Sequence, residues 1–576
     1  MTPSGVTAGR TDSVSGYFDL GTYTRAVSTS SPAAQMWFDR GLVWAYAFNH
    51  EEGARCFMRA AEADPDCAMA YWGLAYALGP NYNKPWDAFD AVDLTRTVEN
   101  AHATVEAARS ARRGSAVERA LVDALSARYP APEPTPDCSI WSTGYADAMR
   151  QVYAAFPDDL DVAALFADAL MNLTPWQLWD QATGAPAAGS AAAEAKEVLE
   201  RALTDPAAWA HPGVLHMYIH LMEMSSRPED AIQVSDALRD LAPDAGHLRH
   251  MPSHIDILCG DYRRAVASNA DAIAADEKFV AREGGMNFYT LYRCHDYHFK
   301  VYAAMFAGQL AVALKAADDL AAAVPEDLLR VAVPPMADWL EGFHSTRLHV
   351  LIRFGRWQEI IDTPLPADQD LYCVTTAVMR YARGVAYAAT GRVGEGEQER
   401  LRFRAAAARV PSSRTVFNNS YADILAVASA MLDGEIEYRK GNFDAAFAHL
   451  RRSIELDDNL TYDEPWGWMQ PTRHAYGALL LEQGHVLEAE AVYRADLGLD
   501  PALARSRQHP ANVWSLHGYH ECLTRLGKGE QAEIVSQQLR LASAAADVGL
   551  TASCFCRLSS AASSCGCETT CTSCRP

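Results

Sequence analysis

The sequence predicts an all-α fold, built as a solenoid of helix-turn-helix repeats. Three observations predict it: a period of about 34 residues, small residues where paired helices would cross, and few runs of β-branched residues among many Ala, Leu, Glu and Arg. The chain has 576 residues, of which 49% are hydrophobic, so it can bury a large core. A long helical array therefore accounts for most of the chain.

The first repeat shows the period most clearly. When Trp37 is placed at position 4 of a unit, Gly41 falls at position 8, Phe57 at 24, Ala60 at 27 and Pro65 at 32. Small residues let two antiparallel helices approach, the aromatic ring fills the space between them, and the proline ends the second helix. This pattern resembles the tetratricopeptide (TPR) repeat, and the resemblance implies a right-handed superhelix.

Later units repeat a glycine near position 15 and an alanine at position 20, which bracket the turn between two helices. These pairs are Gly260 with Ala265, Gly308 with Ala313, Gly441 with Ala446 and Gly484 with Ala489. A degenerate copy has Ala231 at position 20 and Pro243 at position 32. Two further turns fall at Gly355 and Gly391, and Trp514 with Gly518 begins a last helix pair. We expect about eight or nine helix pairs. The predicted organisation is an N-terminal extension (1–30), the solenoid (31–545, with a His-rich groove at 211–298) and a Cys-rich flexible tail (546–576), and Pro and Gly predict loops at 79–85, 129–136, 183–190 and 364–370.

The charge balance excludes two classes of partner. Fifty basic and seventy-three acidic residues give a formal net charge of −23, which would repel the phosphates of nucleic acids and anionic lipids. No run of about 18 apolar residues, the length of a membrane span, occurs in the chain. We expect a soluble, cytoplasmic protein.

Histidines concentrate in one part of the chain. Eight of the eighteen lie between residues 211 and 298, where an even distribution would place about three. They are His211, His216, His220, His247, His250, His254, His295 and His298.

In the repeat frame most of these histidines take equivalent positions. When Ala231, Ala265 and Ala313 are each placed at position 20, His216, His250 and His298 fall at position 5, His220 and His254 at position 9, His247 and His295 at position 2, and Glu223 at position 12. These positions share one helix face, and the TPR resemblance implies that this face lines the concave groove. Imidazoles on neighbouring helices would then converge, so we predict a metal site formed by His216, His220, His250, His254, His295 and His298. The alternative is that a ring at position 5 only packs between repeats.

The ligand type narrows the choice of metal. Imidazole suits copper, iron, nickel and zinc. A zinc-protease motif needs Glu directly after the first His of an HxxxH pair, and Met217 stands there instead. Six imidazoles could hold two ions as two sets of three, as in coupled dicopper proteins, and four with Glu223 could hold one iron or copper. Copper or iron is favoured and zinc remains possible.

Some segments are similar to those of a broad group of microbial TPR proteins. They are His211-Pro212-Gly213, Tyr218-Ile219-His220, the run from His250 to Ile255, and Gly79-Pro80-Asn81. This resemblance implies a specialised groove and no particular reaction. The later His349 and His474 fall at positions 9 and 5 of other repeats.

The tail carries a second set of soft ligands. Its cysteines are Cys554, Cys556, Cys565, Cys567, Cys571 and Cys574, in Cys-x-Cys and Cys-x-x-Cys spacings that suit Cu(I) and Zn. The tail could buffer or deliver the metal, or it could be a surplus extension.

Two classes of function follow. The first is a metal-dependent oxidoreductase, with copper or iron, that acts on a small molecule in the concave groove and uses Tyr218, Glu223 and Tyr302 in catalysis. The second is a non-catalytic TPR scaffold that binds a partner protein or peptide, or a protein that stores or transports metal. Histidines stand where a peptide clamp would carry Lys, Arg and Asn, and this favours the metal hypothesis.

Overall fold

A computed structural model describes residues 16–557, and these residues form an all-α chain of antiparallel helix pairs. The helices of the first half are α1 (Pro32–Tyr46), α2 (His50–Ala63), α3 (Ala68–Leu78), α4 (Ala91–Ser110), α5 (Ala116–Ser126), α6 (Ile140–Ala155), α7 (Leu160–Met171), α8 (Ala192–Ala202), α9 (Pro212–Glu223), α10 (Ile232–Leu238), α11 (Gly246–His250), α12 (Pro252–Leu258), α13 (Tyr262–Glu283) and α14 (Thr290–Phe306).

The second half continues the same alternation of helices. Its elements are α15 (Leu310–Ala323), α16 (Glu326–Leu329), α17 (Met336–Leu340), α18 (Thr346–Arg353), α19 (Trp357–Asp362), α20 (Cys373–Ala389), α21 (Val393–Ala407), a short hairpin of β1 (Thr415–Val416) and β2 (Asn419–Ser420), α22 (Tyr421–Arg439), α23 (Phe443–Asp458), α24 (Thr472–Glu482), α25 (Val486–Asp496), α26 (Val513–Arg525) and α27 (Gly529–Ala542). The four loops expected from Pro and Gly all lie between α-helices.

Small residues at helix crossings produce the predicted packing. A Cβ atom at Gly41 would lie 2.8 Å from the Phe57 ring, and one at Gly434 would lie 2.7 Å from Leu450. Larger residues would push the paired helices apart, because interiors are close-packed. The expectation of an all-α solenoid of helix-turn-helix repeats is confirmed.

The turns between paired helices have the geometry that the glycine pattern predicts. Gly260, Gly308, Gly441 and Gly484 all take positive φ angles, between 73° and 84°. This left-handed conformation ends a helix at low cost only when the side chain is absent. The predicted glycine turns are confirmed at these positions.

The superhelix closes tightly enough to fill its interior. The start of α9 packs on the end of α1, where a Cβ at Gly213 would lie 2.6 Å from the Tyr46 ring. On the other side α26 packs on α14, and Trp514 Nε1 donates to Met305 O at 2.8 Å. The predicted groove face is therefore buried in this part of the array.

Both predicted terminal segments pack onto the solenoid as far as the structure describes them. Ser28 donates to Glu118, and Arg25 pairs with Asp159 at 2.8 Å. At the other end, Ser553 Oγ donates to His474 O at 2.9 Å, and the side chain of Cys556 is buried. Residues 546–557 of the predicted tail therefore contact helices of the second half, and the tail cysteines Cys565, Cys567, Cys571 and Cys574 lie outside the described residues.

Candidate metal centre

Four helices carry the histidine cluster. α9 carries His216 and His220, α11 carries His247 and His250, α12 carries His254, and α14 carries His295. Pro252 separates α11 from α12, because a proline cannot donate the backbone hydrogen bond that a continuous helix needs. All of these side chains except His295, which keeps partial exposure, are buried.

The histidines form two groups of three. Triad A is His216, His220 and His247, and triad B is His250, His254 and His295; in each triad the potential ligand atoms lie within 4.8 Å of one another. The triads adjoin, since the rings of His247 and His250 have centroids 5.8 Å apart. Both triads use positions 5 and 9 of one unit and position 2 of the next.

Hydrogen bonds fix which nitrogen the rings of His216 and His250 turn inward. Nδ1 of His216 lies 2.6 Å from Tyr46 O, and Nδ1 of His250 lies 2.7 Å from Asn269 Oδ1. The Asn269 amide nitrogen donates to Ala265 O, so its oxygen is the atom that faces His250. Because these oxygens only accept, each Nδ1 carries the hydrogen and each Nε2 keeps its lone pair.

Glu223 holds one ring of each triad. Its Oε1 lies 3.0 Å from His220 Nδ1, and its Oε2 lies 2.7 Å from His254 Nδ1. Metal-binding histidines commonly donate their other ring hydrogen to such a carboxylate. Glu464, from the loop before α24, also contacts His254 Nδ1.

Several imidazole nitrogens of triad A have no hydrogen-bond partner within the described part of the chain. Nε2 of His216, Nε2 of His220 and both nitrogens of His247 are buried there without a hydrogen-bond partner. His250 Nε2 lies 2.7 Å from His254 Nε2. With Glu223 ionised, both of these atoms present lone pairs, and their repulsion is removed when they share a cation. Two nitrogens bound to one metal at about 2.0–2.1 Å lie roughly 3 Å apart, close to this spacing.

The enclosure keeps the imidazoles in the neutral form that binds metal. Burial, followed by the neighbouring imidazoles, lowers the pKa values of His216, His220, His247, His250 and His295 well below 6.5. Burial raises the pKa of Glu223, and both burial and Glu223 raise the pKa of Glu464. A cation at the centre would offset the cost of burying these carboxylates.

Each triad is covered by one phenylalanine ring. The Phe48 centroid lies 4.5, 5.7 and 5.5 Å from the rings of His216, His220 and His247. The Phe299 centroid lies 4.9, 5.1 and 5.7 Å from those of triad B. These rings form an apolar cover against both triads.

Several residues predicted for the site lie elsewhere. His298 is outside both triads, and its Nε2 lies 3.1 Å from Met469 Sδ. The Tyr218 hydroxyl lies 3.4 Å from Glu200 and points away from the triads, because it stands on the opposite face of α9. Tyr302 stacks on Phe306 and Trp466 in the apolar interior, with ring centroids 4.3 and 5.4 Å away.

The remaining histidines of interest are also outside the triads. His211 caps α9, His349 packs beside Trp468, and His474 pairs with Asp496. The residues that the sequence interpretation did not assign to the site are His247, Glu464 and Asn269. Of the six predicted metal ligands, five lie in the triads.

A cavity adjoins triad A. It has a volume of about 530 Å³, and its walls include Phe48, Tyr289 and Tyr292. The Tyr292 ring packs on His247 with a centroid distance of 4.8 Å. The rings of Phe48 and Tyr292 therefore lie between the cavity and the imidazoles of triad A.

Comparison with known proteins assigns the chain to no family. No family profile and no curated protein matches the chain. Similar solved structures include the Cut9–Hcn1 hetero-tetramer of the APC/C (9% identity, 89% of this chain and 88% of that one covered, TM-score 0.28), yeast Tom70 (11%, 88% and 90%, 0.28) and Naa15/Naa10 bound to HypK-THB (11%, 89% and 73%, 0.19). At these TM-scores the similarities carry no argument about this chain. Within residues 16–557, none of the helices combines the length and apolar character needed to cross a bilayer.

Proposed function

We propose that the protein is a metal-dependent oxidoreductase that holds two ions, one in each histidine triad, and oxidises a small molecule. The observation that carries the proposal is the set of inward Nε2 atoms without partners, with the 2.7 Å contact between His250 and His254 at its centre. Buried polar atoms in folded proteins are almost always satisfied. The imidazoles of each triad would hold one cation through these nitrogens, with His247 offering one of its two.

The ligand set favours copper. Three imidazoles without a thiolate suit copper or zinc, and raw affinity along the first-row divalent series peaks at copper. Iron is the second candidate, because Glu223, His254 and Glu464 form a further group of potential ligands within 4.8 Å that adds carboxylates. Zinc fits the geometry but would supply no redox chemistry.

The proposed reaction balances with dioxygen as the oxidant. Bound copper or iron would supply electron transfer between substrate and oxidant. Each substrate molecule gives up two electrons and two protons, and one dioxygen accepts four of each to form two waters, so two substrates are oxidised per dioxygen. Glu223 and Glu464 stand beside the triads, where they would hold a proton during the reaction.

Metal analysis of the purified full chain tests the centre. Wild-type protein loaded with copper should contain two equivalents by mass spectrometry of the metal. His216→Ala and His254→Ala should each remove about one equivalent, while the exposed His485→Ala should remove none. Less than a tenth of an equivalent in the wild-type protein would end the proposal.

Turnover separates an oxidoreductase from a storage protein. A copper-loaded oxidase consumes dioxygen when a reducing phenol is added, and His254→Ala should abolish the consumption. Protein that holds two ions without any dioxygen uptake would favour metal storage or transport.

A scaffold function would use a different surface. A peptide clamp needs an open concave face, whereas the position 5 and position 9 side chains of α9, α11 and α12 are at most 1% exposed. A partner protein would therefore have to bind outside the triads.

A further inference from the structure

An elongated cleft leads from triad A to the surface. The 530 Å³ cavity beside Phe48 shares Glu51, Lys84, Asp93, Arg96 and Phe288 with a second cavity of about 370 Å³. These shared side chains make the two cavities direct neighbours, and together they form the cleft. Cavities of about 300–1,000 Å³ accommodate ligands larger than a single phenol.

The inner end of the cleft is built for a flat ring. Phe48, Tyr289 and Tyr292 line it, and aromatic faces and edges favour another aromatic ring. The side chain of Asn49 is 2% exposed, and among residues 16–557 its Nδ2 has no hydrogen-bond acceptor. This amide would donate to an oxygen on the ring.

Phe48 occupies this end in a strained backbone conformation. Its φ angle is 56°, which a bulky residue rarely adopts. Strain of this kind persists where the surroundings hold it, and it concentrates at functional sites. Here it places the ring between the cleft and all three imidazoles of triad A.

The middle of the cleft offers donors and acceptors together. Lys84 Nζ lies 3.1 Å from Asp93 Oδ2, and Arg96 donates to the other Asp93 oxygen at 2.7 Å. Glu51 adds a further carboxylate at the same place. Groups of both signs at close range match the alternating C=O and N–H groups of a peptide chain.

The outer end is apolar. Met336, Val331 and Trp339 line it, and the Trp339 ring packs against Phe288 with a centroid distance of 6.0 Å. An aliphatic side chain fits such a pocket. The cleft therefore changes from aromatic to polar to aliphatic along its length.

We propose that this cleft binds an extended peptide whose tyrosine-type phenol enters between Phe48 and Tyr292 and whose aliphatic residue lies against Trp339. The assignment rests on the proposed oxidoreductase function, since the phenol is the group that triad A would oxidise. Its O–H bond and one benzylic C–H bond would break, two electrons and two protons would pass to dioxygen, and a quinone methide would remain. It places the substrate's oxygen beside Asn49 and the substrate's chain along Lys84, Asp93 and Arg96.

Calorimetric titration of the full chain with two probes tests the assignment. The probes are N-acetyl-tyrosine amide and the tetrapeptide acetyl-tyrosyl-seryl-seryl-leucine amide. The tetrapeptide should bind at least about tenfold more tightly, because it alone reaches the outer end. Equal affinities, or no binding of either probe, would overturn the proposal.

Two substitutions separate the ends of the cleft. Trp339→Ala should remove the advantage of the tetrapeptide and leave the affinity for N-acetyl-tyrosine amide unchanged. Asn49→Asp keeps the helix-capping oxygen that accepts from Glu52 N but loses the donor, so it should weaken both probes by roughly tenfold. The placement would be contradicted if Trp339→Ala abolished the binding of both probes. It would also be contradicted if Asn49→Asp left the affinity for both probes unchanged.

Access to the metal distinguishes this proposal from the proposed function. In copper-loaded protein, Phe48→Ala should increase the rate of azide binding at least about tenfold, as measured by charge-transfer absorbance. Phe417→Ala, which removes the ring packed on His295, should leave this rate unchanged. If Phe417→Ala increased the rate of azide binding and Phe48→Ala did not, the entrance would lie at triad B and the assignment would be overturned. Wild-type protein that binds the tetrapeptide but no copper would end the oxidoreductase function while leaving the peptide site in place.

Discussion

At the residue scale, the hydrogen on Nδ1 of four imidazoles determines which nitrogen can bind a metal, because it leaves the lone pair on Nε2. The four are His216, His220, His250 and His254. Glu223 accepts from one imidazole of each triad, at 3.0 and 2.7 Å, and so fixes two rings at once. No other carboxylate in the described part of the chain is shared between the two triads. The position of Glu223 therefore couples the geometry of triad A to that of triad B.

Glu223→Gln tests this coupling. A glutamine offers one acceptor and one amide donor, so one of the two rings would face a donor and would have to turn over. We expect copper affinity to fall by about 10–100-fold, the usual effect of losing such a supporting group. Competition with a chelator measures it, and Glu200→Gln, which alters a carboxylate that contacts Tyr218 and Lys196 outside the triads, is the matched control. An unchanged affinity would show that Glu223 does not position the ligands.

The buried imidazoles also set the pH dependence of metal binding. Protons compete with a metal only below the pKa of a ligand, and burial holds five of these pKa values well below 6.5. Three ordinary imidazoles would lose roughly a thousandfold in apparent affinity between pH 7.5 and 5.5. We expect a loss of less than about tenfold in this protein over the same range, measured by chelator competition with a hexahistidine peptide as reference. A thousandfold loss would mean that the rings titrate as if exposed.

At the element scale, the packing of α9 on α1 supports triad A. Gly213 leaves room for the Tyr46 ring, and the Tyr46 carbonyl accepts from His216 Nδ1 at 2.6 Å. Gly213→Ala would place a Cβ 2.6 Å from that ring, which neither helix can relieve without moving. We expect triad A to lose copper affinity by at least about tenfold while triad B retains its ion.

A second glycine provides the control for this substitution. A Cβ at Gly144, within α6, would lie no closer than 3.8 Å to any neighbour. Gly144→Ala should leave both ions bound and stabilise α6 by about 0.5–1 kcal/mol. Equal copper content in the two variants would show that the α1–α9 contact does not hold triad A.

The repeat register could predict most of this site, and the way it fails is informative. Positions 5 and 9 of one unit with position 2 of the next select triad A and triad B without error. Applied once more, the rule starts a third set at His298, but Tyr302 stands at position 9, so that set is incomplete. The sequence prediction includes His298 of the third unit, whereas the structure places His247 of the second unit in triad A and His298 outside both triads. Glu464 lies 210 residues after His254 in the sequence (464 − 254). It contacts His254 only because the superhelix closes, and no local sequence pattern encodes that closure.

At the scale of the whole molecule, closure of the superhelix completes the centre. Triads A and B come from α9 to α14, but Glu464 arrives from the second half, and α26 holds that half against α14. Trp514 is fully buried at this contact, with its Nε1 on Met305 O at 2.8 Å and the Arg353 guanidinium 4.2 Å from its ring centroid. The contact between the two halves therefore encloses the metal centre as well as the core.

Trp514→Ala should loosen this contact and expose the centre. Removing a buried tryptophan costs about 3–5 kcal/mol through lost burial and the remaining cavity. The ligands themselves are untouched, so two copper ions should still bind, but their release to a chelator should become at least about tenfold faster because opening limits escape. Trp209→Ala, at a tryptophan that is 37% exposed, is the control and should leave the release rate unchanged. If Trp514→Ala released copper at the wild-type rate, the route to the centre would lie within the first half alone, and closure would serve the core only.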